Sequence, residues 1–298
     1  MDHYLAFDIG GTAIKYAIGK PGGDMLLFSS IPTPTASLHD FLASLHDLVR
    51  LLMKKHPVTA IGLATPGTID RRSGRLRGVN PNLPWWVDID PLEAIPQEYR
   101  ELAVCDNDAN LMCLAEASET GAYCLGITVG TGIGSGFVID GKIYHGSRGF
   151  ALEAGHICME KGGLPCNCGL KGCLEAYSSV TAVRKAAQVL DPQFATCELS
   201  RIIHAAATNS ALAKIILRAE EYLGIALANV SMILDPDEII IGGGAMDAGL
   251  YDIRNIEALV RKHSQSAFHH STIRNARTGN MAGVMGAMIL AAQSHSAG

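Results

Sequence analysis

Two stretches of the chain share one pattern, in which an apolar strand runs into glycines and a second strand follows. The first stretch is YLAFDIGGTAIKYAIG, residues 4–19, and the second is CLGITVGTGIGSGFVIDGKI, residues 124–143, about 120 residues further along. Two strands joined by a glycine turn predict a β-hairpin, because such turns need positive φ. The separation is too long for a solenoid repeat. The sequence therefore predicts an α/β protein of two related domains that face one another.

The segments between and after these hairpins predict helices and buried strands. Residues 36–55 repeat apolar side chains at helical spacing. Residues 101–117, ELAVCDNDANLMCLAEA, predict a short strand that changes at Asp106 to a helix. Residues 236–246, PDEIIIGGGAM, predict a buried strand that opens into glycines.

Composition argues against several partners and locations. No stretch approaches the roughly 20 apolar residues that a membrane-spanning helix needs. With a net charge of −5 and no long basic run, we expect neither nucleic acid nor an anionic membrane as a partner. Eight cysteines in 298 residues are too few for a disulfide scaffold, and the N-terminus shows no signal-peptide pattern. We therefore expect a cytoplasmic protein.

The first glycine turn, DIGGT, is a candidate phosphate site. It is neither a Walker A loop nor a dinucleotide fingerprint, because a strand and not a helix follows Gly11. Successive glycine N–H groups can still point at one anion, and Asp8 at the strand end can hold a water bound to Mg²⁺. The alternative is an ordinary hairpin turn.

Two further glycine segments strengthen the case for a nucleotide. GTGIGSG, Gly130–Gly136, holds more glycines than a turn requires, which suggests that its backbone approaches a ligand closely. The segment IIIGGGA, Ile239–Ala245, suits a flat base or a ribose lying on bare backbone. A purely structural turn remains the alternative for Gly130–Gly136. Together the three segments predict a nucleotide held between the two domains.

The acidic segment DNDAN, Asp106–Asn110, lies where a strand changes to a helix. Asp108 near the helix N-terminus is stabilised as an anion. An ionised Asp in a cleft can accept a proton from an attacking hydroxyl, which would make Asp108 a general base. A simple helix cap is the alternative.

Three of the eight cysteines fall within eight positions, in CNCGLKGCLEAY. With the upstream histidine they form the set His156, Cys166, Cys168 and Cys173. Three thiolates and one imidazole make a closed tetrahedral Zn²⁺ site, which is structural because no position stays open for substrate. A catalytic zinc, the absence of a metal and Cys158 as a substitute ligand are the alternatives.

Two carboxylates lie beside these expected zinc ligands. Glu153 precedes His156 by three residues, and Glu175 follows Cys173 by two. Paired carboxylates suit adjacent hydroxyls of a sugar. We therefore expect the zinc to hold a sugar-binding wall in place.

In their order along nearly the whole chain, these motifs resemble the ROK family of repressors and sugar kinases, in its zinc-containing type. The resemblance is carried by DIGGT, ATPG, NLPWW from Asn82, NDAN, GTGIGSG, the Glu-x-Gly-His motif, CNCGLKGCLE and IIIGGGA. It implies two actin-like (ribonuclease H-like) ATPase domains with an interdomain cleft. It also implies ATP-dependent phosphorylation of a hexose hydroxyl, usually at carbon 6, by a homodimer.

The resemblance also implies a role for each matching residue. Asp108 would be the general base. The sugar would be contacted by Asn82, Asn107, Asp108, Glu153, His156 and Glu175. Phosphates and Mg²⁺ would be surrounded by Asp8, Gly10, Gly11, Thr12, Thr131 and Gly132, and the adenosine would be lined by Gly242, Gly243 and Gly244.

The expected domains are residues 1–115, with a C-terminal helix of about 283–298 packing back on them, and residues 116–282, which carry the zinc site. The chain departs from the family pattern at three places that bear on the site. Ala13 stands where many members have Lys, with Lys15 two positions later, and glycine is commoner at the positions of Ser135 and Leu152. No departure removes a chemical group, so activity is expected.

Glucose or a close aldohexose is the expected substrate. N-acetylmannosamine, N-acetylglucosamine or fructose kinases share these motifs and are the alternatives. A more distant one is a sugar-responsive transcriptional regulator, which needs an N-terminal helix-turn-helix for which the residues before DIGGT leave no room. An ATPase without a sugar client would leave Glu153, Glu175 and the zinc unexplained.

A local basic segment, DRRSGRLRG at Asp70–Gly78, is expected to form a solvated hairpin around Ser73-Gly74. Contact with an anionic group of a substrate is its alternative role.

Overall fold

The computed structural model describes residues 2–22, 24–78, 83–117 and 123–296. The strands are β1 (Tyr4–Ile9), β2 (Ala13–Gly19), β3 (Met25–Pro32), β4 (Ala60–Thr65), β5 (Thr68–Asp70), β6 (Arg75–Arg77), β7 (Ala103–Asn107), β8 (Cys124–Val129), β9 (Ile133–Ile139), β10 (Lys142–Ile143), β11 (Glu238–Gly242) and β12 (Thr272–Asn275). The helices are α1 (Leu38–Lys55), α2 (Asp108–Ala117), α3 (Glu175–Ser178), α4 (Val180–Ala187), α5 (Leu199–Ala206), α6 (Ser210–Leu234), α7 (Gly244–Asp247), α8 (Ile253–His263) and α9 (Ala282–Ser296). Short 3₁₀ helices cover Pro91–Ala94, Gln97–Leu102, Ala154–His156, Pro192–Ala195, Ser266–Phe268 and Gly279–Met281.

Contacts divide the chain into two compact units. The first comprises Met1–Ser118, Ile143–Ala151 and Asn280–Gly298, and the second comprises Glu119–Lys142 and Leu152–Gly279. The division at residue 115 expected from the sequence stays a prediction. The contacts add one segment, Ile143–Ala151, to the first unit.

The segment Ile143–Ala151 is attached to the first unit by specific bonds. The Arg71 amide donates to the carbonyl of Arg148 at 2.8 Å, and the Arg148 guanidinium lies 2.8 Å from the Asp70 carboxylate. Gly149 has φ of +96°, and a Cβ there would overlap the carbonyl oxygen of Ile69. Only glycine therefore allows the two backbones to approach this closely.

The first unit is built on a sheet of order β3-β2-β1-β4-β7. β1 and β2 pair antiparallel, which confirms the hairpin over residues 4–19. β4 runs parallel to β1, and β7 runs parallel to β4. The expected reason for the glycine turn is wrong at Gly10, because its φ is not positive. Gly10 is needed for a different reason, since a Cβ there would lie 2.7 Å from the carbonyl oxygen of Ala13.

Helix α1 confirms the prediction made from apolar spacing. It begins after Ser37, whose hydroxyl accepts the Asp40 amide at 3.1 Å as an N-cap. One face is fully buried in the core of the first unit, with the side chains of Phe41, Leu45 and Val49. Each of these side chains contributes about 1.5–3 kcal/mol by leaving water, so the buried face and not helix propensity holds α1 in place.

The second unit repeats the arrangement with a sheet of order β10-β9-β8-β11-β12. β8 and β9 form the second expected hairpin, and β11 and β12 continue the sheet in parallel. The long helix α6 shares a buried core with β11, to which Leu223, Leu227, Ile239 and Ile241 contribute. The sequence pattern of two related α/β halves is therefore confirmed at the level of sheet order.

The C-terminal helix α9 packs against β1, β4 and α2 of the first unit. Two glycines allow this close contact. A Cβ on Gly62 would overlap the carbonyl oxygen of Ala287, and a Cβ on Gly286 would overlap the carbonyl oxygen of Leu111. Among the described residues, no helix combines the length and apolar character that crossing a bilayer requires.

Replacing Gly286 by Ala should lower the melting temperature, because the new methyl group forces α9 away from the α2 backbone. Overpacking of this kind costs about 1–3 kcal/mol. Thermal unfolding followed by circular dichroism measures the effect. Ser294→Ala, at an exposed position of the same helix, is the matched control and should leave the melting temperature nearly unchanged. Equal melting temperatures for both variants would contradict the packing argument.

Candidate active site

The acidic groups of the first unit lie at one edge of its sheet because the strands are parallel. In register, Asp8 of β1 pairs with Ala64 of β4, and Ala64 pairs with Asp106 of β7. Carboxyl ends of parallel strands share an edge, so Asp108, the first residue of α2, follows there as well. The parallel register brings Asp8 and Asp106 to one edge, and the position of Asp108 directly after β7 adds a third carboxylate there.

Asp8 is held by a lysine that the family pattern places elsewhere. The Lys15 ammonium lies 3.4 Å from Asp8 Oδ2 and 3.3 Å from Asn280 Oδ1. Because side chains alternate along a strand, Lys15 projects from the same face of β2 as Ala13, where many ROK proteins have Lys. Burial raises the pKa of Asp8, and the nearby Lys15 charge opposes that rise.

Asp8 also sets a steric limit on the start of α9. A Cβ on Gly283 would lie 2.5 Å from the carboxyl carbon of Asp8. A glycine at this position therefore leaves the carboxylate its space.

Asp108 has a raised pKa and stays accessible to solvent. Its pKa rises to about 6, first because surrounding protein atoms remove water from the carboxylate, and second because Asp8 is negatively charged. The Ala109 amide, which donates to Asp108 Oδ1 at 2.8 Å, opposes the rise. At neutral pH the carboxylate is mostly ionised, yet it is a much better proton acceptor than an ordinary aspartate.

Asn107 is committed to structural bonds. Its Oδ1 accepts the amides of Ala109 at 2.9 Å and Asn110 at 3.3 Å, which caps α2. Its Nδ2 donates to the carbonyl of Gly67 at 3.1 Å. Asn82, the other amide expected at a sugar, lies outside the described residues.

The glycine turns of the second unit differ from one another. A Cβ on Gly130 would meet no atom within 4 Å, and the Thr131 carbonyl accepts the Thr181 hydroxyl at 2.7 Å. Gly132 packs against the carboxylate of Glu175. In the turn before β9 there is thus free space beside the backbone of Gly130, whereas the Glu175 carboxylate fills the space beside Gly132.

The glycines after β11 start a short helix. Gly243 has φ of +94°, and a Cβ there would lie 2.6 Å from the carbonyl oxygen of Val129. Gly244 begins α7, and a Cβ on it would meet open space. Bare backbone at this position is compatible with a flat ligand.

The expected zinc ligands converge in the second unit. One ligand atom each from His156, Cys166, Cys168 and Cys173 lies within 4.8 Å of the others. His156 Nδ1 is 3.6 Å from Cys166 Sγ, and the Sγ atoms of Cys168 and Cys173 are 3.7 Å apart. Zn–S bonds of about 2.3 Å in a tetrahedron give S···S edges of about 3.8 Å and S···N edges of about 3.5 Å. The donor set and its dimensions therefore fit Zn²⁺.

The two carboxylates beside this cluster have different surroundings. Glu175 Oε2 accepts the Ile133 amide at 3.0 Å, and Glu175 Oε1 lies 3.7 Å from Cys166 Sγ. Glu153 is exposed and precedes the 3₁₀ turn that carries His156. Both are thus attached to the backbone segments that hold the cluster.

Two departures from the family pattern meet next to Glu153. Leu152 has φ of +63°, a left-handed conformation that costs a leucine about 1–2 kcal/mol. The Ser135 hydroxyl donates to the Leu152 carbonyl and accepts the Ala154 amide at 3.0 Å. The Ser135 hydroxyl therefore binds the backbone of the residues before and after Glu153. One of these is Leu152, the residue in the left-handed conformation that stands where glycine is commoner.

Comparison with known proteins decides the family. Residues 4–294 match the model of the ROK family. The chain belongs to the ROK family. It is 32% identical over 316 aligned residues to a glucokinase of Halalkalibacterium halodurans, with 95% of this chain and 93% of that protein covered. It is 28% identical over 311 aligned residues to an N-acetyl-D-glucosamine kinase of Haemophilus influenzae, with 96% and 98% covered.

A solved structure confirms the fold class. The ROK family glucokinase from Streptomyces griseus in complex with glucose and AMPPNP has a TM-score of 0.80 and 26% identity to this chain, with 98% of this chain and 99% of that chain covered. The actin-like ATPase fold implied by the motifs is thus shown for this ROK protein. The ligand roles assigned to individual residues stay predictions.

Sequence reasoning did not assign a role to Lys15, Arg71 or His145. The alternation of side chains along β2 could have indicated Lys15, since it repeats the face of residue 13. Arg71 and His145 both contact Asp106, and no local pattern connects residues so far apart in sequence.

Asp8→Asn should lower the pKa of Asp108, because it removes the negative charge that is the second cause of the rise. In the unmodified protein a carboxyl titration by ¹³C NMR should show Asp108 near pH 6. In Asp8→Asn the same resonance should titrate at lower pH, toward the ordinary range of aspartate. Asp2→Asn, at an exposed position, is the control. An Asp108 titration that stays in place in Asp8→Asn would show that the two charges do not interact.

Cys166→Ser should abolish stoichiometric zinc, because it removes one of four ligands, whereas Cys158→Ser should retain it. Cys158 lies in the same loop region and forms an isolated antiparallel β-bridge with Cys173 through the backbone. Its side chain is not among the four converging ligands. Elemental analysis of purified protein gives the metal content. Equal zinc in both variants would reject this ligand set.

Proposed function

We propose that this ROK protein is an ATP-dependent sugar kinase that phosphorylates a hexose hydroxyl, with Asp108 as the general base. The observation that carries the proposal is the carboxylate of Asp108, which is accessible, has a pKa of about 6 and lies in the charge field of Asp8. The kinase relatives and the neighbour with glucose and AMPPNP support the reaction class.

In the proposed reaction Asp108 accepts the proton of the sugar hydroxyl as its oxygen bonds to the γ-phosphorus of ATP. The bond from that phosphorus to the oxygen bridging the β- and γ-phosphates breaks, and ADP leaves. Catalysis of phosphoryl transfer depends mainly on positioning and charge stabilisation. A general base is most effective when its pKa lies near the working pH, because it is then ionised and still accepts a proton readily.

The phosphates are assigned to the glycine turns of both units, with Asp8, Gly10, Gly11 and Thr12 in the first and Thr131 and Gly132 in the second. We add Lys15 to this group, since its ammonium lies beside Asp8. Mg²⁺ is commonly bound through one carboxylate together with waters and phosphates, and the single carboxylate of Asp8 fits that requirement. When bound, the ion would neutralise phosphate charge. The bare backbone of Gly242–Gly244 is assigned to the adenosine.

The sugar is assigned to the carboxylates of Glu153 and Glu175 and to the second ring nitrogen of His156. His156 directs Nδ1 to the cysteine cluster, so Nε2 is the nitrogen left for a hydroxyl. A structural Zn²⁺ at the four ligands would fix the backbone on which all three side chains stand. Asn107 stays assigned to the sugar, and its bonds to the first turn of α2 and to the Gly67 carbonyl fix where its side chain lies.

Glucose or a close aldohexose is the proposed substrate, with an N-acetylhexosamine or fructose as the alternative. A coupled assay of ADP release over a hexose panel ranks them by kcat/KM. We expect the highest value for an aldohexose.

Asp108→Asn should reduce kcat by roughly 10²–10⁴ with sugar affinity largely intact, because only the base is lost. Near-normal turnover would remove Asp108 from the base role, and tight sugar binding without ADP release would favour a sensor.

The activity should fall as the pH drops through the pKa of Asp108. Protonation removes the acceptor, so kcat should be constant above this pKa and decline about tenfold per pH unit well below it. The acid limb should lie near pH 6. A kcat profile measured at saturating sugar and ATP tests this, and a limb near pH 4 would mean that Asp108 is not raised in the working enzyme.

We further propose a cytoplasmic homodimer. Exposed apolar side chains on the second unit, among them Leu164, Val189 and Leu217, offer surface for a second copy. Light scattering after gel filtration would give the mass in solution, and a monomer at micromolar concentration would reject the dimer.

A further inference from the structure

Asp106 is a buried carboxylate two residues before the proposed base. Its side chain is only 3% exposed. One oxygen, Oδ1, accepts the Asn107 amide at 2.8 Å and the Asn110 side-chain amide at 2.9 Å. These bonds tie Asp106 to the first turn of α2, which carries Asp108.

The other oxygen of Asp106 is bound by two basic side chains from separate segments. Arg71, directly after β5, contacts Oδ2 through its guanidinium, and His145 Nε2 lies 2.6 Å from the same oxygen. Arg71 and His145 also approach one another, with Nη2 and Nε2 2.8 Å apart. β5 and β6 pair antiparallel, so the basic segment forms the expected hairpin. The contact brings the start of this hairpin and the segment Ile143–Ala151 to one point.

These partners keep Asp106 charged in spite of its burial. Burial acts to raise the pKa of Asp106, but the hydrogen bond from His145, the charge of Arg71 and the amide of Asn110 outweigh it, and the pKa falls below the ordinary value. A buried charge that loses one partner is strongly unfavourable. The position of Asp106 therefore depends on both basic residues.

Asp108 is the exception within DNDAN. Asp106, Ala109 and Asn110 are buried, and Asn107 caps α2 and binds the Gly67 carbonyl. Asp108 alone in this segment is exposed. The fixed contacts of its neighbours decide where its carboxylate lies.

We propose that Arg71 and His145 are positioning residues for the general base. They hold Asp106 in place, Asp106 holds the first turn of α2, and that turn aims Asp108 at the hydroxyl. The inference rests on the proposed kinase function. It gives the basic segment Asp70–Gly78 a role inside the first unit, in place of contact with an anionic group of the substrate.

Positioning can be separated from an electrostatic effect. The pKa of Asp108 is raised by the loss of water around the carboxylate and by the charge of Asp8, and local hydrogen bonds oppose the rise; the contacts of Arg71 and His145 are with Asp106. Loss of positioning should therefore lower kcat without moving the acid limb of the pH profile. Direct binding of substrate by Arg71 would instead raise KM.

The experiment measures kcat, both KM values and the kcat–pH profile for His145→Ala, His145→Gln and Arg71→Lys. A misplacement of about 1 Å can cost about 10²-fold, so we expect kcat of His145→Ala to fall about 10- to 100-fold. Both KM values should stay within about twofold, and the acid limb should not move. His145→Gln, which keeps an N–H donor, should recover most of the loss. Arg71→Lys keeps the charge without the planar guanidinium and should show a smaller fall in kcat.

Arg77→Ala is the matched control. Arg77 belongs to the same hairpin but pairs with the exposed Asp88 at 2.8 Å, so its kcat should be unchanged. If His145→Ala does not fold, Arg71→Lys decides the matter: the proposal requires a lower kcat in this variant with both KM values and the acid limb unchanged, and a kcat equal to wild type overturns it. A raised sugar or ATP KM at normal kcat overturns it in favour of substrate binding. Failure of the kinase proposal itself would appear separately, as wild-type protein that releases no ADP with any hexose.

Discussion

The site of the first unit depends on the parallel register of β1, β4 and β7. This register places Asp8 and Asp106 level with one another across Ala64, although almost one hundred residues separate them in sequence. A shift of one residue would turn each side chain to the other face of the sheet. The register is stabilised by burial of both faces, since all six residues of β4 are buried.

Collecting carboxylates at one sheet edge has an electrostatic cost, and the chain offsets it unequally. Lys15 lies beside Asp8, and Arg71 and His145 bind Asp106. Asp108 has no ion pair among the described residues, and loss of water around its carboxylate, followed by the charge of Asp8, raises its pKa to about 6. Three identical side chains at one sheet edge therefore have different surroundings: two are bound by basic groups, and one is left with a raised pKa.

Sequence reasoning succeeded where local periodicity or a fixed spacing carries the information. The two hairpins, helix α1 and the convergence of His156 with three cysteines follow from such patterns. It failed where a contact depends on tertiary structure. Gly10 serves a close approach and not a positive φ, and the Arg71–Asp106–His145 contact joins three segments that share no motif.

The packing of α9 has a consequence for the order in which this protein can fold. Gly62 and Gly286 fit the backbone of a partner element, so no other helix of the unit substitutes easily at that face. Yet α9 is synthesised after the whole second unit. During translation the amino-terminal sheet therefore keeps one apolar face uncovered until α9 has emerged from the ribosome, and exposed apolar surface of this kind favours aggregation.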